Sequence, residues 1–255
     1  MKILIAIPAR YGSTRFPGKV LAEDTGKFLI QHTYEQACKA ELPDKVIIAA
    51  DDKRIANAAD SFGAECVLTS PQHKSGTDRI AEAVKDIDVD IVINLQADEP
   101  EIDPENIDFL AQILIENTNY PMATLTADFQ NKEQIADPNI VKVVVSGFAG
   151  DKNREIGRAI YFSRAPIPYD RSAGGLSEPQ NYLRHIGTYV YRKDFLMKIT
   201  ALPQAKLEKI EKLEQLRAIE NGFTILVGKV KHTCDGIDTP QQYAEFVARC
   251  KKSKM

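Results

Sequence analysis

The sequence predicts an α/β fold built on a mostly parallel, doubly wound sheet. Through its first half, short apolar runs rich in β-branched residues alternate with helical patterns at intervals of about 20–30 residues. Four runs are typical of buried strands, and three intervening stretches have the periodicity of helices. The strands are Lys2–Ile7, Lys45–Ala50, Glu65–Leu68 and Asp90–Leu95, and the helices are Leu29–Ala40, Lys53–Phe62 and Arg79–Ile87.

The alternation changes beyond about residue 120. A helix is expected after Asp103-Pro104, where Asp can cap and Pro can occupy the first turn. The strands then expected are Pro121–Ala127, Ile140–Val145, Arg158–Phe162, His185–Tyr191 and Phe223–Val227, with a long loop over 166–175 and helices over Lys206–Ile219 and from Pro240. Because no Gly/Ser/Pro-rich linker separates two bodies, we expect one domain over residues 1–255 with an inserted lobe at roughly 121–190.

Composition excludes several classes of protein. The chain has 255 residues, of which 44% are hydrophobic and 27% charged, with 33 Lys+Arg against 36 Asp+Glu for a net charge of −3. No stretch approaches the roughly 20 apolar residues of a membrane helix, so membrane insertion is not expected. The near-zero charge gives no field for nucleic acid. Four scattered cysteines and no recognisable signal segment favour a reducing, cytoplasmic setting.

The loop Pro8–Lys19, directly after the first strand, is the most informative segment. Loops at the carboxyl ends of parallel strands form the ligand crevice of such sheets. This one carries Arg10, Arg15 and Lys19 together with two glycines, a combination suited to a triphosphate, whose four negative charges need several fixed donors. Its spacing matches neither the dinucleotide fingerprint nor the Walker motif. A flexible basic surface loop is the alternative.

Carboxylates follow at two further positions. Asp98 and Glu99 end the fourth predicted strand and are expected to face the same crevice, where Mg²⁺ typically takes one or two carboxylates plus substrate phosphates. Asp238 precedes the final predicted helix. The alternatives are a solvated turn for the first pair and a helix cap for Asp238.

Three polar residues stand where core is expected. Arg164 ends an apolar strand and His185 begins another. Glu214 shares a predicted inward helix face with Leu207 and Ile210, so it requires a polar partner. Each is explained either by a structural hydrogen bond or ion pair or by a bound polar ligand.

These residues belong to a series of motifs that spans essentially the whole chain. In order the motifs are Ile7-Pro8-Ala9-Arg10-Tyr11-Gly12-Ser13-Thr14-Arg15-Phe16-Pro17-Gly18-Lys19, Gln31-His32, Ala50-Asp51-Asp52, Thr69-Ser70-Pro71, Ser75-Gly76-Thr77-Asp78-Arg79, Gln96 to Pro100, Tyr161-Phe162-Ser163-Arg164, Arg184-His185-Ile186-Gly187, Leu213-Glu214-Gln215-Leu216-Arg217 and Gly236-Ile237-Asp238-Thr239-Pro240. In this series the sequence resembles the 3-deoxy-D-manno-octulosonate (Kdo) cytidylyltransferase family, the CMP-Kdo synthetases.

The resemblance implies a fold of the nucleotide-diphospho-sugar transferase type, an inserted dimerisation lobe and a homodimer. It implies transfer of CMP from CTP to Kdo, with release of pyrophosphate, for lipopolysaccharide biosynthesis. The implied nucleotide-binding residues are Arg10, Ser13, Arg15, Lys19, Ser75, Gly76, Arg79 and Gln96, and the implied Mg²⁺ ligands are Asp98 and Asp238. The implied sugar-binding residues are Arg164 for the carboxylate and His185, Glu214 and Gln215 for hydroxyls. Lys19, Asp98 and Arg10 are the implied catalytic groups.

Two departures from the family pattern bear on the sugar. Ala97 replaces the usual glycine of Gln-Gly-Asp-Glu-Pro, which costs of order 1 kcal/mol if the backbone needs φ > 0 and is otherwise tolerated. Asp235 adds a carboxylate beside the implied metal site, as either an exposed turn residue or a change in the metal or sugar environment. A related acid such as 8-amino-Kdo is therefore an alternative acceptor. A non-catalytic nucleotide-binding module is the alternative of another class, and retention of Lys19, Asp98 and Asp238 argues against it.

Overall fold

The first strand, β1, is buried along all seven of its residues and lies inside a parallel sheet. The computed structural model describes residues 1–13, 15–150, 154–231 and 236–252. The strands are β1 (Ile3–Ala9), β2 (Lys45–Ala50), β3 (Cys66–Leu68), β4 (Ile91–Asn94), β5 (Met122–Asp128), β6 (Lys142–Ala149), β7 (Ile156–Ser163), β8 (Leu183–Arg192) and β9 (Ile225–Lys229). The helices are α1 (Leu29–Ala37), α2 (Lys53–Ser61), α3 (Gly76–Val84), α4 (Pro104–Glu116), α5 (Lys132–Ala136), α6 (Lys193–Ala201), α7 (Lys206–Glu211), α8 (Leu216–Glu220) and α9 (Pro240–Lys252).

The chain divides into two units. The described residues of Met1–Asp108 and Cys234–Met255 form the first, and those of Phe109–Thr233 form the second. The predicted lobe of 121–190 falls within the second unit, which is longer than the lobe. The prediction of one domain with an insertion stays a prediction.

The first unit contains the predicted parallel sheet. Its strand order is β3-β2-β1-β4, with β1 parallel to both β2 and β4 and β2 parallel to β3. Isoleucines of these strands, such as Ile5, Ile48 and Ile93, are completely buried. All carboxyl ends of the four strands lie at one edge, which places the segments after Ala9 and Asn94 side by side.

Helix α9 returns to this unit and packs on the segment that follows β1. Tyr243 and Phe246 of α9 share a buried cluster with Leu29. The ring of Phe16 lies 5.5 Å from that of Tyr243, whose hydroxyl accepts the backbone N–H of Asp24 at 2.8 Å. The helix thereby holds the segment that follows β1 in place.

The second unit pairs its strands in the order β8-β5-β9-β7-β6, with a further β6–β8 contact at Lys142 and Arg184. Only β5 and β9 run parallel among the described pairings of this unit, and the others are antiparallel. The α/β fold class is confirmed. The predicted strands and the long loop of 166–175 are observed, whereas α5 and α6 were not predicted.

The predicted single helix over Lys206–Ile219 is wrong. It is divided into α7 and α8 because Lys212 adopts the left-handed conformation, with φ of 55°, and ends α7. Ile210 is exposed rather than inward-facing, and Glu214 lies in the connection between the two helices. The proposed shared face of Leu207, Ile210 and Glu214 therefore does not exist.

Candidate active site

A cavity of about 330 Å³ opens at the carboxyl edge of the parallel sheet in the first unit. Every residue that the family resemblance implies for nucleotide or metal binding lies in its wall. These residues are Arg10, Ser13, Arg15, Lys19, Ser75, Gly76, Arg79, Gln96, Asp98 and Asp238. They come from four separate segments of the chain, so only the folded sheet brings them together.

The loop after β1 is closed by its own backbone. Gly18 has φ of 69°, a conformation that glycine adopts without steric cost, and its N–H donates to the carbonyl of Tyr11 at 3.3 Å. A short 3₁₀ helix, Lys19–Leu21, follows immediately. This turn directs Lys19 from the loop into the cavity wall.

Lys19 joins two carboxylates from distant segments. It is 8% exposed, and its Nζ donates to Asp98 Oδ2 at 2.7 Å and to Asp238 Oδ1 at 3.1 Å. Arg15 completes the cluster with a contact of 2.9 Å to Asp238 Oδ2. Two cations and two anions thus balance one another, which offsets the cost of burying the Lys19 ammonium.

The cap of α9 is separate from this cluster. The Thr239 hydroxyl accepts the N–H of Gln242 at 3.2 Å, and the Gln242 side chain accepts the N–H groups of Asp238 and Thr239. The Asp238 carboxylate points instead to Lys19 and Arg15. Thr239 is therefore the capping residue, and Asp238 remains available for ligand chemistry.

Arg79 forms a buried part of the wall. Its guanidinium donates to Thr69 Oγ1 at 2.7 Å and to the carbonyl of Ser70 at 3.4 Å. It also contacts Asp51 Oδ2 at 3.4 Å. Helix α3, which carries Arg79, begins at the cavity, with Ser75 as its capping residue.

Gly76 lets the first turn of α3 approach β1 closely. A Cβ atom at this position would lie 3.1 Å from Pro8 Cγ and 3.8 Å from Gln96 Oε1. The absence of a side chain keeps both the wall and the helix end in place, where backbone N–H groups and the helix dipole favour an anion.

Several wall residues were not predicted. Pro8, Ala9 and Val20 are apolar, whereas His73 and Lys74 add basic groups. His73 is held by Glu82, whose carboxylate also accepts the N–H of Ser70. Both basic residues lie between two of the motifs in the sequence. Their position directly before Ser75 could have predicted that they line the cavity.

The carboxylates after β4 take different positions. Asp98 lines the cavity, but Glu99 is buried and is not among the wall residues. The expectation that both face the crevice is therefore wrong for Glu99. Ala97 also lines the cavity, and its carbonyl accepts the buried Thr33 hydroxyl at 3.1 Å.

The backbone accepts alanine at position 97 without strain. Lys212 is the one non-glycine residue with positive φ in the described part of the chain, so Ala97 is outside that region. The methyl group is tolerated, as one of the two sequence interpretations expected. Asp235, the other departure, lies outside the described residues.

The four residues suggested for the sugar belong to the second unit. Arg164 donates from Nε to the carbonyl of Glu211 at 2.7 Å, from one terminal nitrogen to Pro138 at 2.8 Å and from the other to Lys212 at 3.4 Å. The Glu211 carboxylate in turn accepts the backbone N–H of Arg164 at 2.9 Å and the Ser163 hydroxyl at 2.7 Å. Arg164 thus anchors the turn that leads to Glu214 and Gln215.

His185 packs between two aromatic rings. Its centroid lies 4.9 Å from that of Phe162 and 5.3 Å from that of Tyr189, and Nε2 lies 2.9 Å from Thr124 Oγ1. Burial, and then the neighbouring Arg184 guanidinium, lower the pKa of His185 to about 3. The imidazole is therefore neutral at physiological pH and acts through hydrogen bonds rather than charge.

Burial, then Tyr191 and Glu214, raise the pKa of Tyr189 well above its usual value. One buried amide of this unit suits a polar ligand. Gln215 is 93% buried, and its Nε2 has no hydrogen-bond partner among the described residues. A buried amide left in this state requires an acceptor that a ligand could supply.

Comparison with known proteins identifies the family. The family model described as cytidylyltransferase matches residues 4–227. A 3-deoxy-manno-octulosonate cytidylyltransferase of Rhodopirellula baltica is 46% identical over 98% of both chains. One of Solibacter usitatus is 46% identical over 100% of this chain and 96% of its own. The chain belongs to the 3-deoxy-manno-octulosonate cytidylyltransferase family.

Solved structures agree with this family assignment. CMP:2-keto-3-deoxy-manno-octonic acid synthetase complexed with CTP superposes with a TM-score of 0.89, at 40% identity over 99% of this chain and 100% of the other. An apo UDP-glucose pyrophosphorylase has a TM-score of 0.70 at 17% identity over the whole of both chains, and shares the fold alone. The predicted nucleotidyltransferase fold is thereby confirmed for this member of the cytidylyltransferase family.

Proposed function

We propose that the protein transfers CMP from CTP to Kdo, forming CMP-Kdo and pyrophosphate. The observation that carries this proposal is the convergence of ten suggested nucleotide and metal residues on one cavity, in a chain of this family. The relatives that bear the name of this activity match the chain over nearly its full length.

The nucleotide end of the reaction follows from the charges of the cavity. The 2-hydroxyl of the sugar gives up its proton to solvent and attacks the α-phosphorus of CTP in line. The bond between the α-phosphorus and the oxygen that bridges to the β-phosphorus breaks, and pyrophosphate leaves with the electron pair. Arg10, Arg15 and Lys19 neutralise charge on the departing phosphates. Ser75, Gly76, Arg79 and Gln96 hold the nucleotide. The protein supplies position and charge, and forms no covalent bond.

The cavity fits a divalent cation completed by the substrate. Asp98 and Asp238 converge on one cationic group, the Lys19 ammonium, and offer hard oxygen ligands. No group of three His, Cys, Asp or Glu residues suitable for a metal occurs within the described ranges, so phosphate oxygens are needed as further ligands. We assign Asp98 and Asp238 to Mg²⁺, which when bound withdraws charge from the phosphate and sugar oxygens.

The acceptor is assigned to the second unit. Arg164 is placed at the sugar carboxylate, and His185, Glu214 and Gln215 at its hydroxyls. Support comes from the unpartnered buried Nε2 of Gln215 and the neutral state of His185. Arg164 donates three of its five N–H groups to carbonyls, so one N–H on each terminal nitrogen remains for the carboxylate.

The same proposal covers assembly and setting. We infer a homodimer formed through the lobe of residues 121–190 and a cytoplasmic role in lipopolysaccharide biosynthesis. In the described part of the chain, no helix has the length and apolar character needed to cross a bilayer.

The first experiment measures pyrophosphate release from CTP, ATP, GTP and UTP, each with Kdo, with Mg²⁺ and again after EDTA. We expect pyrophosphate release from CTP with Kdo but not from ATP, GTP or UTP with Kdo, and we expect EDTA to abolish it. Release only with 8-amino-Kdo as acceptor would keep the mechanism and change the substrate. Silence of a folded sample with every acceptor would contradict catalysis and favour a nucleotide-binding module.

A further inference from the structure

Asp51, the residue after β2, holds the backbone on both sides of Arg10. Its N–H donates to the carbonyl of Ala9 at 3.3 Å, and its Oδ1 accepts the N–H of Tyr11 at 2.9 Å. Arg10 itself is exposed and lines the cavity. The Arg10 side chain is long and has several rotamers. The two hydrogen bonds fix the backbone at Ala9 and Tyr11, and so they fix the direction in which the Cα–Cβ bond of Arg10 leaves the loop.

The second oxygen of the same carboxylate faces Arg79. Asp51 Oδ2 lies 3.4 Å from a terminal nitrogen of Arg79, and the two side chains are 14% and 4% exposed. A buried guanidinium needs a counter-charge, and Asp51 supplies it. One carboxylate therefore contacts both the backbone beside Arg10 and the guanidinium of Arg79, two basic residues of the cavity wall.

Tyr11 extends this support through the loop. Its carbonyl accepts the N–H of Gly18, the residue before Lys19. Its ring lies under the guanidinium of Arg54, 3.4 Å from the ring centroid, and Arg54 is in turn held by Asp52 in a two-point contact. The loop is thus fastened to the β2–α2 junction at Tyr11.

We propose that Asp51 is a positioning residue that sets the direction of Arg10 and Arg79 for binding the nucleotide triphosphate. It acts through the backbone of Ala9–Tyr11 and through the guanidinium of Arg79, and it does not touch the substrate. The proposal rests on the assignment of the cavity to CTP.

The opposite end of the same strand pair offers a matched control. Asp44 donates its N–H to the carbonyl of Ile3 and accepts the N–H of Ile3 on Oδ2, both at 2.8 Å. These two hydrogen bonds are of the same kinds as those of Asp51, but they lie at the amino end of β1, away from the cavity wall. Asp44→Ala removes a comparable backbone contact without disturbing Arg10 or Arg79.

The test compares Asp51→Ala, Asp51→Asn and Asp44→Ala by steady-state kinetics and thermal unfolding. We expect Asp51→Ala to lower kcat/KM for CTP by at least about 10-fold, since small misplacements of binding groups have effects of up to about 100-fold. The KM for Kdo should change less than about two-fold. Asp51→Asn, which keeps one acceptor oxygen, should fall between Asp51→Ala and wild type, and Asp44→Ala should keep wild-type kinetics.

A second readout separates this inference from the proposed reaction. CTP alone should raise the Tm of wild type and of Asp44→Ala, and raise that of Asp51→Ala by clearly less, because ligand stabilisation depends on affinity. Wild type that is inactive with Kdo but stabilised by CTP would contradict the reaction and leave this comparison valid. Equal CTP kinetics and equal CTP-induced shifts for Asp51→Ala and Asp44→Ala would overturn the positioning role.

Discussion

At the scale of single residues, the environment of Lys19 is the most consequential. Its ammonium is buried between Asp98 and Asp238, and each contact crosses a long stretch of sequence. Ion pairs of this kind lose much of their stabilisation when one partner is removed, because the remaining charge stays poorly solvated. The same three groups are therefore sensitive both to substitution and to the arrival of a charged ligand.

Asp98→Asn should reduce turnover by at least about 100-fold, equivalent to about 2.7 kcal/mol of transition-state stabilisation. The amide keeps the shape of the side chain but removes the charge that pairs with Lys19 and is assigned to the metal. Pyrophosphate release at saturating CTP and Kdo measures the loss. Asp60→Asn, at an exposed position of α2, should behave as wild type, and near-normal turnover in Asp98→Asn would remove Asp98 from the metal site.

Arg164→Ala should raise the KM for the sugar acid by at least about 10-fold, in line with loss of a charge-assisted contact. The KM for CTP should stay within about two-fold of wild type. Glu211→Gln serves as the comparison, because Glu211 accepts the Arg164 N–H through its side chain but has no assigned contact with the sugar. Equal losses for CTP and the acceptor in Arg164→Ala would contradict its assignment.

At the scale of elements, the α7–α8 connection depends on one buried ion pair. Arg217 donates from Nε and a terminal nitrogen to the two carboxylate oxygens of Glu208, at 2.9 and 2.6 Å, and both side chains are 5% exposed. The pair holds the two short helices together on either side of the left-handed residue Lys212. It also fixes the segment that carries Glu214 and Gln215.

Glu208→Gln should lower the free energy of unfolding at pH 7 by about 3 kcal/mol, the lower end for breaking a buried pair. Burial alone would raise the pKa of Glu208, but hydrogen bonds from Arg217 outweigh it, so the folded-state pKa lies below its usual value of 4.5. The pair therefore stabilises the protein fully above pH 4.5, and this contribution is lost as pH falls through the lower folded-state value.

Urea unfolding of wild type and Glu208→Gln between pH 7 and about pH 3 measures this effect. The difference between the two proteins should shrink towards acid. Glu245→Gln, a substitution at an exposed position of α9, should change the free energy of unfolding at pH 7 only slightly. A constant difference across the range for Glu208→Gln would contradict the role of its ionised form.

The accuracy of sequence interpretation also varies by element. β1 is apolar and completely buried, and so are residues 47–50 of β2 and 91–93 of β4, so their pattern was sufficient to predict them. The break at Lys212 was not predictable, because a lysine carries no local signal for the left-handed conformation. Asp238 and Thr239 were likewise ambiguous until the position of Lys19 was known.

At the scale of the whole molecule, assembly is the property with the clearest test. Ile160 on β7 is 54% exposed and lies in the lobe assigned to the dimer, whereas Ile210 on α7 is 66% exposed and lies outside it. Both are large apolar side chains on the surface of the second unit. They form a matched pair for substitution.

Light scattering should give wild type a mass of about twice the 28.4 kDa of one chain. Ile160→Glu should shift the protein towards a single chain, since a two-fold interface buries each substitution twice. Ile210→Glu should keep the wild-type mass. A wild-type mass of one chain, or a dimer that survives Ile160→Glu and not Ile210→Glu, would place the interface elsewhere.

The long sequence separation within the Lys19 cluster has a consequence for the newly made chain. Asp98 follows Lys19 by 79 residues and Asp238 follows it by 219. At roughly 5–20 residues per second, a ribosome that has added Lys19 adds Asp98 about 4–16 s later and Asp238 about 11–44 s later. For most of its synthesis the growing polypeptide therefore carries Lys19 with one of its two carboxylates, and the site is completed late, when α9 docks beside Phe16.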